Sequence, residues 1–332
     1  MRSTILACIA VAAAAGTGCN TRSPVAYGDN NSIIVVAPDS LWAAVGDTMH
    51  TVMEPLTFTV RNERTFELTH VSPADPTWGK LREWKQVLVI GQADDPWVAP
   101  AVPAEAAAST LPAILEKDDV WARGQRVTAL VLPEEGMAET VVELLPRLHE
   151  FFDERFRRDV VRRMFVSGAD TLLRDSLRET AGFELLLPNV YTSGRLGAAY
   201  RFINANPNRG ALDRSILVTW REGAAPLTAD ELVAWRDSLG AGVYEWGQEV
   251  DREALRTRPL EGYGDGSIEV QGVWLGTDPT FPMAGPFLSR AVVCPAQGRT
   301  YLLDAFLYAP SRDKYEYVLQ LETILDSFAC GS

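Results

Sequence analysis

Three histidines, an adjacent pair of aspartates and four cysteines are the residues whose chemistry could reach beyond packing. His50, His70 and His149 are scattered, and none has a second histidine or cysteine at metal spacing. "LHEFFD" (148–153) would need a histidine four residues after His149 to hold zinc from one helix face, and Asp153 stands there instead. It reads as a surface helix. "VLVIGQADD" places Asp94 and Asp95 just past a buried-type strand, where ligands gather in open α/β sheets. Paired carboxylates there could hold a divalent cation, although a solvated loop before Pro96 explains them equally well. Trp274 in "QGVWLG" and Phe287 in "GPFLSR" are candidates for a ligand groove, against the commoner fate of core packing. There is no G-x-S-x-G elbow, Walker loop or G-x-G-x-x-G turn, and "GYGDGS" (262–267) reads as a hairpin loop. Nothing in the sequence calls for a cofactor.

The elements that must position these residues change character midway. "IIVVAP" (33–38), "QVLVIG" (86–91) and "QRVTALVLP" (125–133) are unbroken apolar runs, the pattern of strands buried on both faces. "TFELTHV" adds a strand, and Leu41, Val45, Met49 and Val52 form one helical stripe after Asp39 and Ser40. Such βα units predict a mainly parallel sheet with flanking helices. "PTWGKLREWK" is expected to be a short helix, and the Ala/Pro-rich stretch between 96 and 115 a surface loop with one short helix. From Glu135 to Phe165 the stripe of Val141, Leu145, Leu148, Phe152 and Phe156 is helical, with Pro146 as a kink or a break. Its basic run "DERFRRDVVRRMF" reads as a core-facing helix with a solvated charged back.

Beyond it, "GFELLLPNVY" and "LGAAYRFINANP" are expected to pair as strands, with "SILVTW" an interior strand. "LTADELVAWRDSL" is a helix with Thr228 and Glu231 at capping-box spacing. "SIEVQGVWLG", "GPFLSRAVVC" and "RTYLLDAFLYAP" follow as antiparallel strands, and "DKYEYVLQLETILDSF" closes as a helix. The expectation is an α/β domain over 33–175 and an α+β domain over 176–332, the latter an antiparallel sheet covered by helices.

Residues 1–18 have one positive charge, a short apolar run and small residues before a break, which is a secretory signal. The apolar run is far short of the roughly 18 residues of a membrane span. "GTGC" (16–19) resembles the lipobox of bacterial lipoproteins, in which the cysteine is acylated and becomes the new N-terminus. The resemblance assigns lipid attachment to Cys19, although Gly16 stands where an aliphatic residue is usual. Asn20, rather than the aspartate that retains some lipoproteins in the inner membrane, points to the outer membrane. Residues 19–32 are polar and read as a flexible tether. Cys294 and Cys330 are left to each other in an oxidising compartment, as a bridge or as two free thiols. The net charge of −13 argues against nucleic acid and against anionic lipid headgroups as partners.

In serial order, "IIVVAPDSLW", "DDVWARGQ", "FELLLPNVY", "QGVWLG" with "GPFLSR", and "AFLYAPSRDKYEYVLQLETIL" resemble a family of bacterial envelope lipoproteins catalogued as domain of unknown function 4837. The resemblance implies an envelope protein with no assigned activity and no catalytic residues to carry over. The C-terminal half is also similar to the PsbP-like fold, which implies accessory or binding roles. The combined expectation is a lipid-anchored, non-catalytic binding or assembly module, held to the membrane by acyl chains and facing other envelope proteins or glycans. The alternative is a metal-dependent envelope hydrolase using Asp94 or Asp95.

Overall fold

The computed structural model describes residues 23–106, 110–205, 212–244 and 246–331. The leader, Cys19 and residues 20–22 lie outside them, as does most of the turn "NANPNRG". In chain order the first half holds strands β1 (Ser32–Val36), β2 (Leu56–Thr57), β3 (Glu63–Arg64), β4 (Glu67–Val71), β5 (Gln86–Gly91), β6 (Ala113–Asp118) and β7 (Arg126–Val131). Its helices are α1 (Asp39–Met53) and the single turn α2 (Trp78–Leu81). The second half begins with helices α3 (Met137–Met164) and α4 (Thr171–Ala181), then β8 (Phe183–Glu184), β9 (Thr192–Leu196), β10 (Ala199–Ala205) and β11 (Asp213–Glu222). Helix α5 (Ala229–Gly242) precedes β12 (Gln248–Pro259), β13 (Ile268–Gly276), β14 (Ala284–Cys294) and β15 (Arg299–Tyr308), and α6 (Tyr315–Asp326) precedes β16 (Ala329–Cys330).

A five-stranded sheet runs β4-β1-β5-β7-β6, with β1, β5 and β7 mutually parallel and β6 antiparallel at the edge. A seven-stranded sheet runs β12-β13-β14-β15-β11-β10-β9 and is antiparallel throughout. This mixed α/β architecture is the expected fold class. The unbroken apolar runs do as predicted, with Val35, Leu88, Val89, Ile90 and Leu130 fully buried.

The chain does not divide at a single point near residue 175. Among the described residues, one compact unit gathers 23–29, 34–38 and 70–132, and the other gathers 30–33, 39–69 and those from Pro133 on. Helices α1 and α3 therefore belong with the second unit.

Several local expectations are corrected. The described part of the tether is not loose: Arg123 N–H donates to the Pro24 carbonyl at 2.8 Å and Lys85 N–H to Tyr27 at 2.8 Å. Tyr27 also meets the Trp84 ring edge-on, with centroids 4.9 Å apart. Gly28 sits at φ +101°, and a Cβ there would come within 2.2 Å of that indole. The 96–115 excursion runs at its end into strand β6, whose half-polar sequence suits an antiparallel edge. Helix α3 runs through Pro146 without a break. Of "GFELLLPNVY" only Phe183 and Glu184 are strand, pairing with β16, while Leu185 and Leu187 are buried in irregular chain. The hairpin is β9 with β10 instead. The polar stretch 248–259 is edge strand β12, with a bulge between Asp251 and Arg256.

The seven-stranded sheet is covered on both faces. One face packs Leu217, Val270, Phe287, Ala291, Leu302 and Phe306 with Leu232 and Trp235 of α5. The other packs Phe202, Ile216, Leu288, Val292, Leu303 and Leu307 with Leu177 of α4 and Leu321, Ile324 and Leu325 of α6. Thr228 and Glu231 form the predicted capping box at the start of α5. Cys294 and Cys330 lie at disulfide distance, Cα to Cα 5.9 Å, joining the end of β14 to the chain's last strand.

Candidate functional site

The sequence-picked residues do not converge. Asp95 is occupied locally: its Oδ2 accepts the Gln92 N–H at 2.7 Å and closes the turn after β5. Asp94 is exposed on the same turn, and no group of three His, Cys, Asp or Glu side chains capable of holding a metal ion occurs among the described residues. The three histidines are equally separate. His50 pairs with Glu54 at 3.2 Å, His70 Nε2 lies 2.9 Å from the Ala37 carbonyl, and His149 packs edge-on to Phe66.

The Trp274–Phe287 groove is overturned by burial. Trp274 is fully buried and Phe287 is 1% exposed, both within the core beneath α5. The Trp274 indole N–H donates to the Leu307 carbonyl at 3.2 Å. The glycines of the two motifs make room for these rings. A Cβ at Gly272 would meet the Phe287 ring at 2.7 Å, and one at Gly285 would meet the Leu307 carbonyl oxygen at 1.8 Å. The motifs are packing devices.

A different cleft has the features of a binding site. It lies in the second unit, has a volume of about 310 Å³, and is walled by the end of α3, the β8–β9 connection, β10, β11 and α6. Two turns are zipped together to form its rim. Asp170 N–H donates to the Leu187 carbonyl at 2.8 Å, Asn189 N–H to Gly168 at 3.0 Å, and the Asn189 side chain to Ser167 at 2.8 Å. Asp170 then caps α4 by accepting the Leu173 N–H at 2.9 Å. The rim presents Val166 at 86% exposure and Val190 at 50%, with Leu172 at 81% on the adjoining first turn of α4. Val166 and Val190, exposed and lining one cleft, are the kind of apolar surface that marks an interaction site.

The interior of the cleft is polar. Arg163 pairs with Glu316 at 3.0 Å across the α3–α6 wall. Arg214 of β11 donates through Nη1 to Gln320 and lies with its guanidinium 5.6 Å from the Tyr317 ring centre. Its Nε has no hydrogen-bond partner, and neither has the buried hydroxyl of Tyr191. Burial pushes the Tyr191 phenol up to about 12, with Arg214 partly opposing the shift, so the hydroxyl keeps its proton and remains a donor at neutral pH. Two buried donors without acceptors beside an apolar rim suit a ligand that brings an acceptor oxygen within an apolar frame.

Tyr191 belongs to "FELLLPNVY", but no feature of that stretch signals a hydroxyl buried without a partner. Arg214 is the second residue of a strand whose interior "SILVTW" carries the apolar signal. The usable signal was a basic residue at the edge of a buried strand.

Fold and site together define a mixed α/β protein whose C-terminal antiparallel sheet is covered by helices and carries a small amphiphilic cleft. Residues 170–327 match the family model described as Domain of unknown function (DUF4837), as the C-terminal motifs implied. The N-terminal motifs assigned to the same family fall instead within a match to Domain of unknown function (DUF8532), over residues 26–164. No curated protein matches the chain. Among solved structures, PsbP of Synechocystis sp. PCC 6803 is 15% identical, with 45% of this chain and 86% of that one covered and a TM-score of 0.31. The Ran-binding protein Mog1p of Saccharomyces cerevisiae is 12% identical over 45% of this chain and 90% of its own, with a TM-score of 0.32.

Proposed function

We propose that the protein is a non-catalytic binding module of the cell envelope, tethered to the outer membrane through acylated Cys19. Its C-terminal unit would dock an apolar segment of another envelope polypeptide in the α3–α6 cleft. The observation that carries this reading is the pairing of the unpartnered Tyr191 hydroxyl and Arg214 Nε with the exposed rim of Val166 and Val190. A peptide carbonyl flanked by aliphatic side chains supplies the missing acceptor and covers the rim. The acidic balance of the chain fits attachment by acyl chains rather than by basic residues. A bridge between Cys294 and Cys330 fits an exported, oxidising setting and would pin the chain end to β14.

The test places a photo-crosslinking residue at position 190 of the full chain in membranes, with position 281 as an exposed control on the same unit (Phe281 is 60% exposed). A discrete polypeptide adduct from 190 alone, lost on Val166→Asp or Arg214→Ala, is expected. Equal labelling from both positions, or labelling indifferent to both substitutions, would remove the cleft from consideration. A Cys19→Ser chain should partition into the soluble fraction, and its retention in the membrane would sink the anchor.

A further inference from the structure

The α5 face of the seven-stranded sheet holds a buried polar cluster that the docking cleft does not use. Strand register places Ser289 directly across from Asp304 on that face. Asp304, fully buried, accepts from Ser289, from the Tyr244 hydroxyl and from Arg236 Nε, the last at 3.1 Å. Burial, with the Asp304 charge, drives the Tyr244 phenol well above its ordinary value, so this hydroxyl donates throughout the working pH range. The Asp304 charge is paired with Arg236, and its hydrogen-bonding capacity is largely spent. Arg236 lies 4.2 Å over the Phe287 ring and gives its Nη2 to the Gln248 side-chain oxygen at 3.0 Å.

That last bond fixes the orientation of the Gln248 amide. With its oxygen held by Arg236, Gln248 must turn its NH2 the other way, and this group has no partner although the residue is only 2% exposed. Ser215, also 2% exposed, has an unpartnered hydroxyl as well. Both line a second cleft of about 160 Å³, whose walls also include Arg201, Asp213, Ile203, Phe306 and Trp246. Arg201 brings positive charge to the wall, while Asp213 brings a single negative charge that disfavours more than one added anion. Ile203, Phe306 and the partly exposed Trp246 indole supply the apolar remainder. The volume corresponds to roughly five waters at about 30 Å³ each, or a molecule of about six non-hydrogen atoms.

We propose that this second cleft is a binding site for a small monocarboxylate. The carboxylate would accept from the Gln248 amide N–H and the Ser215 hydroxyl beside Arg201, and a short aliphatic chain would lie against Ile203, Phe306 and Trp246. A carboxylate satisfies two donors at once and gains from the neighbouring guanidinium, which an alcohol or a primary amide of equal size does not. The site is separate from the α3–α6 cleft, and its fate does not depend on the docking proposal.

The experiment titrates the full mature chain with sodium butyrate, butyramide and 1-butanol, following the Trp246 indole N–H and Gln248 side-chain resonances by NMR. Butyrate should produce saturable shifts, and the two neutral analogues should bind at least about tenfold more weakly, since hydrogen bonds to a charged acceptor are the stronger ones. Ser215→Ala removes one donor with little risk to the fold and should weaken butyrate about threefold to tenfold by the same reasoning. Gln248→Leu should abolish binding, with circular dichroism confirming that the chain still folds. No saturable butyrate shift, equal affinity for the neutral analogues, or an unchanged Ser215→Ala chain would each overturn the site and leave a pocket for water only.

Discussion

The two faces of the seven-stranded sheet handle buried charge in opposite ways. Under α5, Asp304 and Arg236 are sealed, both side chains having no exposure, and the donors left over point at a small cleft. On the α6 face, Glu269 is equally buried but sits in a chain of ion pairs that leads outward. Arg290 reaches it at 2.6 Å and Arg258 at 2.7 Å. Arg290 then meets Asp326 at 2.7 Å and Arg258 meets Glu322 at 2.9 Å, the first of these acids being well exposed. A charge network that ends in water can satisfy every member, whereas a closed one has to match donors and acceptors internally. The α5 face does not match them, and that surplus is what suggests a ligand.

The contrast predicts unequal consequences when one partner is removed. Asp304→Ala would leave the Arg236 guanidinium buried with no counter-charge, and should cost about 3–5 kcal/mol in denaturant unfolding. A loss below about 1 kcal/mol, the scale of an exposed pair, would mean that water enters that face and the closed description is wrong.

Glu269→Gln is expected to cost less, about 1–3 kcal/mol, because Arg290 and Arg258 keep Asp326 and Glu322. This substitution also carries a pH signature. Burial alone would raise the Glu269 carboxyl, but hydrogen bonds and charge from Arg258 and Arg290 win and hold it below its ordinary 4.5. A carboxyl lowered by folding contributes stability above the unfolded value, and that contribution is lost as pH falls through the folded value. Glu322 opposes this, since burial beside Asp326 and Glu269 raises it, so its ionisation penalises the fold as pH rises. The Glu269→Gln chain should therefore lose less stability than the parent on acidification below pH 4.5, as measured by urea midpoints across pH. A parallel pair of curves would refute the assignment.

The smallest effect concerns how α5 is seated over its face. Thr228→Ala deletes the capping box, in which Glu231 N–H donates to Thr228 Oγ1 at 3.3 Å and the Thr228 N–H to Glu231 at 2.8 Å. A cost of about 1 kcal/mol is expected, with butyrate binding unchanged, since the cap lies at the far end of α5 from Tyr244.

Much of this architecture is legible from the chain. Three unbroken apolar runs announced the parallel strands because a strand buried on both faces has no polar side to show. Thr228 and Glu231 announced the start of α5 because a cap is a local contract between residues three apart. The edge strands β6 and β12 are half polar and look like loops in the sequence, whereas β8 keeps only two residues of the apolar run that predicts a longer strand. Single charges inside apolar strands, namely Glu269 in "SIEV", Arg290 in "FLSRAVV" and Asp304 in "YLLDAFLY", were visible, but their meaning was not.

The leader and cysteine expectations, the acidic balance, the two textures of sheet and the helices with clean stripes all came from the order of residues alone. Each depends on composition or on spacings within a turn or two. Folding chose which charges are partners, since Arg236 and Asp304 are 68 residues apart and Arg214 and Gln320 are 106 apart. It also buried Trp274 and Phe287, gave Asp95 to its own turn, and brought Tyr191, Arg214, Val166 and Val190 to one cleft. A hydrogen-bond donor's need for an acceptor is local, but whether it is met depends on every strand and helix that folding brings beside it.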